Sequence, residues 1–117
     1  MSVTPILRMF DVERAKEFYF DYLGFMLDWE HQFEKDFPIY MQISLRDSLL
    51  HLSEHHGDCT PGAAVRIEMD KLVDFHKGLH NKNYNYANPG IEQPPWGGKE
   101  VTVIDPSGNR LVFYESE

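Results

Sequence analysis

Cysteine is almost missing from this sequence: Cys59 is the only one in 117 residues. A disulfide within the chain is therefore excluded, and a lone thiol fits a reducing, cytoplasmic setting. Long apolar runs are missing too. No stretch approaches the roughly 20 residues that a helix needs to cross a bilayer, so no membrane span is expected. The start of the chain has no basic segment followed by an apolar one, so no secretory signal is expected either. Basic side chains are the third shortage. Eleven Lys and Arg stand against 19 Asp and Glu, a net charge of −8. Nucleic-acid binders carry basic patches, so neither a nucleic acid nor an anionic membrane surface is an expected partner. A small cationic ligand would be attracted.

What is present is ordinary globular material rich in rings. Hydrophobic residues make up 42%, charged residues 26% and aromatics 14%, enough for one domain with aromatic side chains left over for a core, an interface or a ligand groove. Val3–Met9 reads as a strand. Asp11 is a helix N-cap, and Val12, Ala15, Phe18, Tyr19 and Tyr22 follow on one helix face, with Gly24 as the C-cap. In Phe25–Phe33 the residues Leu27, Trp29, His31 and Phe33 alternate with Asp28, Glu30 and Gln32, the period of a strand with one polar face. Pro38–Leu45 alternates again and sets Tyr40 and Gln42 on its polar side. Arg46–Ser48 is a turn, and Leu49–Ser53 is a further strand.

A polar, breaker-rich stretch, 54–62, then connects to a second run of the same kind. Ala63–Met69 is a strand, Asp70 can cap a helix bearing Leu72, Phe75 and Leu79, and 83–92 offers at most a short strand within a loop. Gln93–Gly98 is a rigid loop. Glu100–Ile104 and Arg110–Glu115 are strands around the tight turn Asp105-Pro106-Ser107-Gly108-Asn109. The order strand–helix–strand–strand–strand thus occurs twice. The expectation is an α+β fold of paired βαβββ modules, about 1–55 and about 63–117, in one domain at 1–117. They form a curved mixed sheet with the helices on its outer face.

The motifs Arg8-Met9-Phe10-Asp11, Phe18-Tyr19, Tyr22-Leu23-Gly24-Phe25, Gln93-Pro94-Pro95-Trp96-Gly97 and Asp105-Pro106-Ser107-Gly108-Asn109-Arg110 with Phe113 carry a resemblance across nearly the whole chain. It resembles the vicinal oxygen chelate superfamily of glyoxalase I, ring-cleaving dioxygenases and bleomycin resistance proteins, and among these bleomycin resistance proteins in particular. The resemblance implies a homodimer with clefts shared between subunits. It also implies positions for a metal in the superfamily's enzymes, and these fall at Thr4, His51, Ala64 and Val112. Alanine and valine cannot ligate, and a stable divalent site wants three or four protein ligands. The reading is therefore of no inherited metal and no cofactor.

Other chemistry is thinly represented. His51, Ser53 and His55 share strand parity, so His51 and His55 form the alternative metal pair; the plainer reading leaves His51 as a polar cavity residue and His55 in a solvated loop. His76 and His80 have chelating helix spacing without a partner acid. Cys59 follows His55 and His56 and could be activated by them, or could be an incidental surface thiol. Bleomycin resistance proteins act by sequestration, with aromatic faces and acidic surface meeting a drug that is part planar and part cationic. By that resemblance the chain is a metal-free binder that sequesters a planar compound able to carry positive charge, with no catalytic residue. The aromatic and acidic segment Asp28–Phe37, the loop tryptophan and strand parity supply the contacts: His51, Ser53, Trp96, Phe33, Phe37, Tyr40 and Tyr114. The alternative is a glyoxalase-like or dioxygenase-like metalloenzyme using His51.

Overall fold

The computed structural model describes all 117 residues. Two compact units are present: 1–63 with 105–109, and 64–104 with 110–117. The turn 105–109, second-module by sequence, packs with the first unit. No helix is long and apolar enough to cross a membrane.

The first unit holds β1 (Ile6–Arg8), α1 (Val12–Lys16) prolonged by a wider-wound segment Glu17–Tyr22, β2 (Met26–Gln32), β3 (Ile39–Leu45) and β4 (Ser48–Ser53). Asp11 caps α1 by accepting from Arg14 N at 3.1 Å. The wider winding shows in the bond from Leu23 N to Phe18 O, 2.9 Å, five residues back. Gly24 then takes φ +91, which a side chain would resist. The sheet order is β1-β4-β3-β2, with β1 parallel to β4 and the remaining pairs antiparallel. Strict alternation in β3 and β4 sends Met41, Ile43, Leu50 and Leu52 into a core with Phe18, Tyr19 and Tyr22. Tyr40, Gln42, Ser44 and His51 are left on the opposite face.

The second unit holds β5 (Ala64–Glu68), α2 (Leu72–Asn81), β6 (Lys99–Ile104) and β7 (Arg110–Glu115), in sheet order β5-β7-β6. Its core gathers Ile67, Leu72, Leu79, Val101, Val103, Leu111 and Phe113. The α+β architecture is the expected one, and the repeat is visible in backbone detail. Met9 N donates to Ser53 O and Met69 N to Tyr114 O, both at 2.8 Å. These bonds close equivalent corners.

Three local expectations are corrected. The short strand within 83–92 shrinks to one bridged pair, Glu92 with Glu100, because Pro89, Pro94 and Pro95 remove ladder donors on either side. Asp70 does not cap α2. The N-cap position is Lys71, at φ +55 with no side-chain cap of its own, and the Glu115 carboxylate accepts from Lys71 N at 3.1 Å and Leu72 N at 3.2 Å. Strand β2, expected to bury one face, is exposed along its whole length at one edge of its sheet; no helix packs over it as α1 and its extension pack over the strands beside it, whose inward residues form the core.

Candidate functional site

The first unit presents a polar and aromatic sheet face built from β2, β3 and β4. Cross-strand pairing aligns Trp29 with Gln42 and Gln42 with His51. A register shift between Leu27 and Trp29 makes Asp28 a bulge residue. Uninterrupted alternation would turn Asp28 away from Trp29; the bulge brings its carboxylate to the same face. There Asp28 Oδ2 accepts from Gln42 Nε2 at 3.1 Å, and Oδ1 accepts from Ser44 Oγ at 2.9 Å. Gln42 Oε1 lies 3.0 Å from His51 Nε2, and His51 Nδ1 lies 2.6 Å from the Tyr40 hydroxyl. Trp29 stacks on Tyr40 with ring centroids 5.9 Å apart and planes 13° apart, and meets His51 edge-on at 5.3 Å. Desolvation, followed by the charges at Asp58 and Cys59, raises the Tyr40 pKa above that of a free phenol.

The connection after β4 folds back over one end of this face. Ser53 is fully buried. Its hydroxyl donates to Asp58 Oδ2 at 2.6 Å and accepts from His55 N at 3.0 Å, so it has no surface to offer. Burial and then Asp58 push the Cys59 thiol up, against a smaller opposing pull from Arg8. That is the reverse of an activated nucleophile. Phe33 and Phe37 form a separate exposed pair at the β2–β3 turn, 5.8 Å between centroids.

The second unit carries its own ring-lined face. The Arg66 guanidinium lies 4.3 Å over the Tyr114 ring and 2.8 Å from Glu100 Oε2. Trp96, 72% exposed on its proline-stiffened loop, borders a recess of about 120 Å³ with Arg66, Glu100 and Tyr114. A larger hollow of about 670 Å³ lies between Gln93–Lys99 and the Glu115–Glu117 tail. Gly98, at φ +80, is required at its wall, because a Cβ there would strike the Glu115 carbonyl oxygen.

The four inherited metal positions do not fit a divalent ion. Ile6 pairs with His51 and Arg66 with Val112, so two-residue steps put Thr4 on the face of His51, one step along from its partner Ile6, and Ala64 on the face of Val112, opposite Arg110. One imidazole, one hydroxyl and two hydrocarbon side chains result. Both His51 nitrogens are already hydrogen-bonded. His51 and His55 gather no third donor, since nowhere do three His, Cys, Asp or Glu side chains converge. His76 Nε2 is 2.7 Å from Pro89 O, and its ring stacks beside His80.

Strand parity puts Tyr40 and Gln42 on one polar face, and the resemblance puts His51 on the concave face; only the structure brings them into contact. Trp29 and Asp28 are legible as aromatic and acidic material, but their alternation sets them on opposite faces and hides that both join this group. Arg66 left no sequence signal at all.

Comparisons with known proteins place the fold. The family model described as "Glyoxalase superfamily protein" matches residues 1–117, and the chain belongs to that superfamily. Within it, the chain is similar to bleomycin resistance proteins. That of Geobacillus stearothermophilus is 25% identical, covering 95% of this chain and 93% of its relative. The crystal structure of a bleomycin resistance determinant encoded on the transposon Tn5 superposes with a TM-score of 0.77 at 21% identity, over 100% of this chain and 98% of that one. The bleomycin-binding protein of bleomycin-producing Streptomyces verticillus, complexed with copper(II)-bleomycin, is 27% identical with a TM-score of 0.71, over 100% and 97% of the two chains.

Proposed function

We propose that this protein is a metal-free binding protein that sequesters a planar, cationic compound of the bleomycin type, in the cytoplasm and as a homodimer. The observation that carries the reading is the Trp29–Tyr40 stack beside the Asp28 carboxylate. A flat ring can lie against the exposed indole, and a cation gains from both the ring face and the nearby carboxylate. Tyr114 and Trp96 offer a second set of rings in the other unit, and Phe33 and Phe37 a third. His51 serves as a polar wall, held by Tyr40 and Gln42, while Ser53 is spent on the loop that follows β4. The donor set at Thr4, His51, Ala64 and Val112 supports binding without a protein-held metal.

The test is calorimetric titration of untagged protein with metal-free and copper(II)-loaded bleomycin, after elemental analysis of dialysed protein. Stoichiometric binding that weakens with added salt, at less than about a tenth of an equivalent of protein-bound metal, supports the proposal. Near-stoichiometric zinc, nickel, manganese or iron that disappears in His51→Ala would favour the metalloenzyme instead. Sedimentation at the same concentrations reads the oligomeric state.

A further inference from the structure

We propose that the chain Tyr40–His51–Gln42–Asp28 is a polarity-setting relay. It presents the Tyr40 hydroxyl and the Asp28 carboxylate to a bound molecule as hydrogen-bond acceptors, and so selects planar cations that bring their own N–H donors, of the amidinium or guanidinium class. The inference rests on the binding function proposed above and names what that site reads.

The direction of the relay follows from its anchored end. Asp28 is an exposed carboxylate and only accepts, so Gln42 meets it with its amide nitrogen, at 3.1 Å, and Ser44 with its hydroxyl proton, at 2.9 Å. That orientation turns the Gln42 carbonyl oxygen toward His51 Nε2, 3.0 Å away. Two acceptors cannot share the bond, so Nε2 carries a proton. In the neutral ring Nδ1 is then bare, and it accepts the Tyr40 hydroxyl proton at 2.6 Å. Burial, with Asp58 and Cys59 behind it, keeps that proton on Tyr40. Arg8, in the same strand row as Ser53 and Tyr40, is turned to the Glu54 carbonyl oxygen at 2.8 Å and to the Phe10 ring. Lys16 is held by Glu30 at 3.2 Å. What Tyr40 and Asp28 have left for a ligand is lone pairs, beside the π face of Trp29. His51 acts through Tyr40 and is a positioning residue.

The experiment uses isotope-labelled full-length protein. Long-range nitrogen–proton NMR, recorded where the ring is neutral, should show the His51 proton on Nε2; a proton on Nδ1 would overturn the relay. Benzamidinium and N-methylpyridinium are then titrated while Trp29 and Tyr40 resonances are followed. Both are flat cations, and only the first carries N–H donors. Benzamidinium should bind about tenfold more tightly, the worth of a charge-assisted hydrogen bond. Tyr40→Phe, which removes the acceptor, and His51→Phe, which frees the hydroxyl to donate, should each shrink that ratio severalfold. Equal affinities in the wild type, no perturbation by either probe, or a ratio unchanged in a folded variant would sink the inference. Bleomycin binding without probe selectivity defeats this relay alone. Probe selectivity without bleomycin binding defeats the sequestration reading alone.

Discussion

Tyr19 donates a 2.6 Å hydrogen bond from its hydroxyl to Asp105 Oδ2, across 86 residues of sequence and within the core of the first unit. Asp105 is the first residue of the Asp-Pro-Ser-Gly-Asn turn, and its carboxylate organises everything around it. Oδ1 accepts from Ser107 N at 2.9 Å and Asn109 N at 2.8 Å, while Oδ2 also accepts from Asn109 Nδ2 at 2.9 Å. The same Asn109 amide reaches Arg8 O at 2.8 Å. The turn is thereby fastened to β1 and to the helix.

Removing either end of that bond should destabilise the fold unequally. Tyr19→Phe leaves Asp105 with three donors and should lower unfolding stability by about 1–2 kcal/mol. Asp105→Ala strands a buried phenol and two backbone amides, and should cost about 3 kcal/mol or more. Urea midpoints at constant slope measure both.

The same contact sets an alkaline limit. Burial, then the Asp105 charge and hydrogen bond, hold the Tyr19 pKa well above that of a free phenol. Unfolded tyrosine ionises near pH ~10. The stabilisation from protonated Tyr19 is complete below that point and is lost as pH rises from there toward the folded pKa. Wild-type stability should therefore fall more steeply above about pH 10 than that of Tyr19→Phe, as denaturant titrations at several alkaline pH values would show.

Helix α2 depends on a residue far away in sequence. Glu115→Ala removes the carboxylate that accepts from Lys71 N and Leu72 N, and should cost about 1 kcal/mol, the usual worth of an N-terminal cap. Hydrogen exchange should accelerate in the first turn of α2 while β3 is unaffected. Uniform exchange across the chain would contradict a local cap.

Cys59 should be slow to react. Its raised pKa leaves less thiolate at mildly alkaline pH than free cysteine has. Alkylation should lag behind that of glutathione and should catch up in urea. Replacing the neighbouring charge, Asp58→Asn, should speed the reaction in the folded protein.

If ring stacking holds the ligand, Trp29→Ala should weaken bleomycin binding by about three- to tenfold, in line with the worth of one aromatic contact. Trp96→Ala tests the second unit in the same way. An affinity indifferent to both would remove the tryptophans from the binding surface.

Much of this molecule is decided by local sequence. Asp11 and Gly24 bracket the first helix because caps need only their own neighbours. The Asp-Pro-Ser-Gly-Asn turn is dictated by residue conformational preference. Regular alternation in β3 and β4 assigns Met41, Ile43, Leu50 and Leu52 to the core and Tyr40, Gln42 and His51 to the open face. The poverty of ligands at Thr4, Ala64 and Val112 is equally a matter of residue type.

Tertiary structure decided the rest. Period-two reasoning holds only along an unbroken strand, and the bulge at Asp28 shifts that count by one, carrying a carboxylate to the face of Trp29. Ser53 keeps the parity of His51 and is nonetheless sealed, because the following loop returns over it. Glu115 caps a helix 43 residues away in sequence, and Arg66 finds Tyr114 only because β5 and β7 are parallel neighbours. Each of these depends on which strand lies next to which and in what register. Sheet pairing fixes that order through long-range hydrogen bonds, and no window of local sequence contains them.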